Sequence, residues 1–211
     1  MINYNVHLCD RSDIREFIEK WHYSHNINGL ISDYCFKLVD EQDNLVGAMI
    51  YGRMAMANCW KKYGNTEHDV IELRRLCCVD NTPKNTESYF ISKTIKYLLK
   101  ETEVKTIISY ADNTFGHRGI IYQASNFEHM GQTASGRVII YNGKRYHDKT
   151  IRTKYKGELK PFVLEVKIAL ETGKAEYVKT KPKEIYKYDL GVRRSKSILG
   201  YIPTIQNNTE D

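Results

Sequence analysis

Long apolar runs are what this sequence most lacks. No window approaches the roughly 20 apolar residues that a membrane-spanning helix requires, so no membrane partner is expected. Cysteine is sparse as well: Cys9, Cys35, Cys59, Cys77 and Cys78 form an odd set of five with no CxxC or other zinc-type spacing. That leaves no zinc-ribbon pattern and no disulfide framework to expect. The N-terminus carries no apolar signal segment, and with the unpaired cysteines this points to a reduced protein of the cytoplasm. No internal repeat is visible.

What is present suffices for one substantial core and an extension, since 211 residues can bury a single domain without staples. A net charge of +6 and a pI near 8.9 suit an anionic partner, either nucleic acid or a phosphate-bearing cofactor, without choosing between them.

Apolar residues at spacings of three and four, Ile14, Phe17, Ile18 and Trp21, predict an amphipathic helix over 10–22, capped by Asp10 or Ser12. Strand-like segments 34–39 and 45–51 flank the polar connection Glu41-Gln42-Asp43-Asn44 and predict a hairpin, with Gly47 marking a bulge. A further strand is expected over 70–79. It is followed by a helix capped at Asn85 or Thr86, whose buried stripe is Phe90, Ile91, Ile95, Leu98 and Leu99. Val104, Ile107 and Ile108 begin another strand that ends in Ser109-Tyr110-Ala111-Asp112, and a short helix surrounds Tyr122. Asn142-Gly143 then joins Arg137–Tyr141 to Lys144–His147 in the strongest hairpin signal of the chain. This order fits an α+β fold, a mixed sheet with helices on its faces. Past about residue 149 Lys, Arg and Tyr dominate, only 162–170 looks helical, and residues 206–211 are expected to fray. We therefore divide the chain into a domain over 1–148 and a basic, Tyr-rich extension over 149–211, packed on that domain or bound to DNA.

Ligands of open α/β sheets bind beyond the carboxyl ends of strands, which places Asp112 and Tyr122 on the binding side; an ordinary strand–turn–helix junction is the plainer alternative. Residues 81–88, which include Asn85, Thr86, Glu87 and Ser88, join a strand to a helix start whose free N–H groups suit pyrophosphate. They lack the glycines of a Walker loop or a dinucleotide fingerprint, and a simply capped helix start, with Glu87 complementing the dipole, fits equally. Arg74 and Arg75 lie upstream on the strand, where a pocket-facing Arg needs a carboxylate or a phosphate; Glu72, Glu87 and Asp112 are the protein candidates. His22 and His25 share a helix face and would suit a metal or a substrate, although a helix C-terminal cation is the plainer role. His117 and His129 lack partners at a diagnostic spacing. Cys77-Cys78 reads as a strand pair with one side chain buried. From Lys144 to Lys196 cations interleave with Tyr146, Tyr155, Tyr177, Tyr186 and Tyr188, which favours nucleic acid, phosphates on the cations and bases on the rings, over a merely solvated surface. Lys144, Arg145, Lys154, Tyr155 and Lys156 are the DNA-binding candidates.

The segments Glu72-Leu73-Arg74-Arg75-Leu76, Glu87-Ser88, Ser109-Tyr110-Ala111-Asp112, Gly116-His117 and Ile121-Tyr122-Gln123-Ala124-Ser125-Asn126-Phe127 together resemble the Mom family of bacteriophage DNA modification proteins. The likeness spans about residues 21–141. It implies a GCN5-related N-acetyltransferase (GNAT) fold, with acyl-CoA in a splayed sheet and its pyrophosphate on the turn after the fourth strand. That turn is Gly-rich in ordinary acetyltransferases and has no glycine here, as in the Mom group. The implied activity is modification of adenine N6 in DNA with a methylcarbamoyl-type group that blocks host restriction enzymes, with acetyl-CoA as a source and iron as a suggested cofactor. The setting would then be the host cell cytoplasm. A conventional acetyl-CoA-dependent N-acetyltransferase acting on a protein or small-molecule amine is the alternative, and a homodimer stays open.

On this resemblance Tyr122 is the acid toward the departing CoA thiolate, and Asp112 accepts a hydrogen bond from N6 and acts as general base, because that conjugated amine is a poor nucleophile. Ser109 helps to position substrate, and Arg74 clamps a phosphate or orients Glu87. Arg75, Asn85, Thr86, Ser88 and Asn126 join Arg74 as cofactor-binding candidates. His22 and Tyr23 match substrate-side residues, and His22 is the preferred ligand if iron takes part. A duplex keeps its base edges out of such a pocket, so the adenine must be flipped or the DNA distorted.

Overall fold

The computed structural model describes residues 3–152 and 154–191. The tail expected to fray over 206–211, and the basic residues Arg193, Arg194 and Lys196, lie outside them.

Strand β1 (Asn5–Cys9) leads into helix α1 (Arg11–Trp21), which starts where the Asp10 N–H donates to the Asp13 carboxylate at 3.1 Å. Its stripe of Ile14 and Ile18 is fully buried against Cys35, Ala48, Ile50 and Cys77 of the sheet. The hairpin of β2 (Tyr34–Val39) and β3 (Leu45–Gly52) forms as expected, and its register shifts between Leu38 and Val39, next to Gly47. Any Cβ at Gly47 would lie 2.9 Å from the Cys78 sulfur, so glycine is needed there.

β4 (Val70–Cys78), α2 (Thr86–Glu101) and β5 (Thr106–Asp112) form a parallel crossover, the one such pairing of the main sheet among the described residues. The stripe of α2 is Phe90, Ile91, Thr94, Ile95 and Leu98; Leu99, expected in it, is 53% exposed because Thr94 takes the central place and hydrogen-bonds the Tyr51 hydroxyl at 2.8 Å. α3 (Ile120–Ala124) and edge strand β6 (Glu128–Gln132) follow.

The hairpin β7 (Arg137–Tyr141) and β8 (Lys144–His147) turns at Asn142 and Gly143, both at positive φ (48° and 70°), as a type I′ turn requires. It does not join the main sheet. After the short pair β9 (Lys154–Tyr155) and β10 (Glu158–Leu159), α4 (Pro161–Glu171) packs Val166 and Ala169 on a small sheet of order β11-β7-β8, where β11 is Ala175–Lys179.

The last described strand, β12 (Lys183–Asp189), returns to the main sheet, whose order is β1-β2-β3-β4-β5-β12-β6. It pairs with β5 along its whole length, from Lys183 opposite Asp112 to Asp189 opposite Thr106. The boundary drawn at residue 148 therefore does not follow the hydrogen bonding. Tyr186, expected to stack on bases, is 1% exposed in the core, and Tyr188 packs beside it.

β4 and β5 pair only from Val70–Thr106 to Leu73–Ser109 and then part. The cause lies on the other side of β4, where Leu73 opposes Tyr51 and Arg75 opposes Ile50, so that Arg74 is the extra residue of a bulge that bends the strand away. Side chains satisfy carbonyls that the parting exposes: the Ser109 hydroxyl donates to the Leu73 carbonyl (3.2 Å) and the Arg75 guanidinium to that of Arg74 (2.7 Å).

Candidate active site

Where β4 and β5 diverge, a cleft of about 490 Å³ opens between them, the end of α1, the turn 116–119 and α3. Asp112, Tyr122, His22, Tyr23, Arg74 and Glu87 all line it, so the fold gathers residues up to 100 positions apart (122 − 22).

Asp112 ends β5 and is 5% exposed. Burial raises its pKa, but hydrogen bonding from Thr114, whose N–H lies at 3.0 Å, and the Lys183 ammonium at 3.1 Å outweigh it and leave the carboxyl below its usual range. Asp112 is thus held ionised. Lys183 was missed in the sequence because it sits in the basic stretch beyond Pro182; β12 brings it to the strand end.

The Tyr122 ring packs on Phe127 and Tyr186 at centroid distances of 5.6 and 5.2 Å. Burial pushes its phenol up to about 12, against a hydrogen bond with Ser109, so it keeps its proton throughout the physiological range. Ser109 itself is fully buried and bonded to Leu73. Its hydrogen bond with Tyr122 places it to orient that phenol, so any help it gives in positioning substrate would pass through Tyr122.

His22, Tyr23 and His117 pack ring against ring in sequence along one wall, tilted by 33° and 45°, with centroids 4.3 and 4.7 Å apart. No sequence spacing announces His117, which meets Tyr23 only through the turn at 116–119. Burial, then Arg75 and the neighbouring imidazoles, hold His22 down at about 3, so the ring is neutral. Because the folded value is depressed from 6.5, the unfolded chain takes up a proton that the folded chain refuses between pH 6.5 and 3. Stability should therefore fall as pH drops through that window. Urea titrations from pH 7 to 4 should show a shallower pH slope for His22→Gln; equal slopes would contradict a buried neutral imidazole.

The iron expected at His22 does not fit these residues. His22 Nδ1 meets both the Ser24 hydroxyl (2.8 Å) and the Ser24 N–H (3.1 Å), so this ring nitrogen is already engaged within the chain. Among the described residues no three His, Cys, Asp or Glu side chains converge on a metal position.

The cofactor candidates separate. Arg74 lines the cleft with a 6% exposed side chain, but it pairs with Glu72 (3.5 Å) and donates to the Arg53 carbonyl; it does not orient Glu87. Its Nε is buried with no partner among the described residues, an N–H that an acceptor in the cleft would satisfy. Arg75 turns instead to the Asn26 carbonyl (3.3 Å) and ties the segment after α1 to β4. Thr86 is fully buried, its hydroxyl donating to the Pro83 carbonyl (2.7 Å), so it is not free for pyrophosphate. Asn85, Ser88 and Asn126 line a second groove between α2 and α3; among the described residues no side chain caps the start of α2, and of its first N–H groups that of Thr86 bonds the Pro83 carbonyl. The others favour an anion.

The DNA-binding candidates lie on the small sheet and the β9–β10 pair, all exposed, with Lys156 over the Tyr155 ring at 5.6 Å. Burial, then the Asp112 carboxylate, raise the Tyr23 phenol, while Arg75 and Arg145 pull it down. Among the described residues no helix is long and apolar enough to cross a membrane.

Known proteins with the same features fall into two groups. The methylcarbamoylase mom of Escherichia phage Mu is 30% identical over 146 residues, 68% of this chain and 59% of that protein, so the chain spans about three-fifths of its relative's length. A spermidine N-acetyltransferase from Vibrio cholerae superposes with a TM-score of 0.51 at 11% identity, covering 89% of this chain and 94% of that one. Arabidopsis thaliana NAA60 in complex with acetyl-CoA gives the same score and identity over 89% of this chain and 99% of its own. Those two establish the acetyltransferase fold. The Mom protein family model matches residues 3–200, and the chain belongs to that family.

Proposed function

We propose that this protein modifies the N6 amine of adenine in DNA with a methylcarbamoyl-type acyl group drawn from an acetyl-CoA-derived thioester, which shields the DNA from restriction enzymes. One observation carries the reading: a carboxylate held ionised, Asp112, and a phenol held protonated, Tyr122, line the same cleft at the parting of β4 and β5. The open strand edges, the orphaned Arg74 N–H and the uncapped start of α2 suit an extended thioester with a phosphate-bearing end. Acetyl-CoA itself would deliver only an acetyl group, so the donor that balances is a methylcarbamoyl (CH3–NH–CO–S) thioester of CoA, made from acetyl-CoA and a nitrogen donor before transfer; bound there it would supply an activated carbonyl carbon on a sulfur leaving group.

Asp112, held below the usual carboxylate range, serves better as a hydrogen-bond acceptor that orients N6 than as a strong base. The C–N bond forms as the C–S bond breaks, and Tyr122 gives its Oη proton to the sulfur. The proton lost by N6 replaces it through solvent. The exposed cations of β8 and β9 would neutralise phosphates beside the cleft.

Release of free CoA thiol tests the reading in extracts that supply the acyl donor. We expect release to rise on adding DNA, and Asp112→Asn to lose about 10-fold or more of it, as expected for a positioned proton acceptor. Release driven by spermidine or peptide amines, and indifferent to DNA, would instead indicate a conventional acetyltransferase.

A further inference from the structure

Ile120, the first residue of α3, lines the mouth of the cleft and is 69% exposed, more than any other large apolar side chain among the described residues. Its neighbours turn inward: Ile121 packs on the core and Tyr122 is buried. A lone exposed isoleucine is ordinary. This one differs in how it is mounted.

Gly119, at φ 71°, lies so close to the Tyr186 ring that a Cβ there would fall 2.2 Å from it. The Tyr186 hydroxyl donates to the Arg118 carbonyl and accepts from the Gln123 side chain, each at 3.0 Å. Residues on both sides of Ile120 are thereby pinned to a ring buried in the sheet. Arg118, exposed, shares the cleft, and the Tyr23 and His117 rings, also exposed, line it too, 4.7 Å apart and tilted by 45° to each other.

An adenine inside a duplex cannot bring N6 to Asp112, and a base that leaves the stack leaves a gap. Apolar side chains close such gaps by entering the base step, and a mount that does not recoil is what makes unstacking possible. We propose, resting on the function above, that Ile120 is the wedge that enters the duplex beside the target adenine, while the extruded base lies against the Tyr23 and His117 rings.

The test compares native with heat-denatured genomic DNA, each incubated with the full-length protein in cell extract supplemented with acetyl-CoA. Modified deoxyadenosine is then counted by mass spectrometry. The ratio of duplex to single-strand product should fall at least about 10-fold in Ile120→Ala, because only the duplex demands unstacking, and should recover in Ile120→Leu. An unchanged ratio in Ile120→Ala overturns the wedge, whether total product falls or not. A wild-type protein that modifies neither DNA overturns the proposed function and the wedge with it.

Discussion

A Tyr122→Phe protein should fold, melt close to the wild type, and lose modified deoxyadenosine by roughly 10²–10⁴-fold, the usual contribution of a positioned acid. The substitution keeps the ring and its packing on Phe127 and Tyr186. What goes is the hydroxyl and its bond with Ser109, worth about 1 kcal/mol of stability. Product loss and thermal stability should therefore separate, which a purely structural role for Tyr122 would not allow. Nucleoside counts and melting curves on the same preparations check this, and product within twofold of wild type would remove Tyr122 from the mechanism.

The second large effect concerns the chain past residue 148. Tyr186→Ala removes a core ring that holds Arg118, Gly119 and Gln123 in place and packs against Tyr122. A cost of about 3–5 kcal/mol is expected for such a truncation. At roughly 2–4 °C per kcal/mol for a chain of this size, the melting temperature should drop by about 10 °C. A chain cut after residue 148 should not fold at all, since it lacks β12 and leaves β5 and β6 with unpaired edges. A stable, cooperatively melting 1–148 fragment would show instead that the extension is an appendage.

Much of the fold was legible because single elements announce themselves. Ile14 and Ile18 at helical spacing, and Asn142-Gly143 between two alternating runs, need no partner to be recognised. β12 escaped because its two faces differ: Tyr186 and Tyr188 pack into the core, while on the other face Lys183 and Lys187 pair with Asp112 and Asp189. Read in line, those residues look like a solvated, base-stacking tail. The Arg74 bulge was invisible for another reason, since it exists only in the register of β4 against β3. For the site, Asp112 at a strand end and Tyr122 on the short helix that follows are visible in the sequence, and the resemblance assigns their chemistry. The roles of Ser109, Arg75 and Thr86 changed because burial and hydrogen bonding had already committed their polar groups within the fold.

The central claim, that adenine in DNA is the acceptor, meets its most direct test in the nucleosides of a plasmid propagated in cells that express the full-length protein. Mass spectrometry should find a deoxyadenosine heavier by a methylcarbamoyl group, present with the wild type and absent with Tyr122→Phe. Deoxyadenosine of unaltered mass beside well-expressed, folded wild-type protein would contradict it.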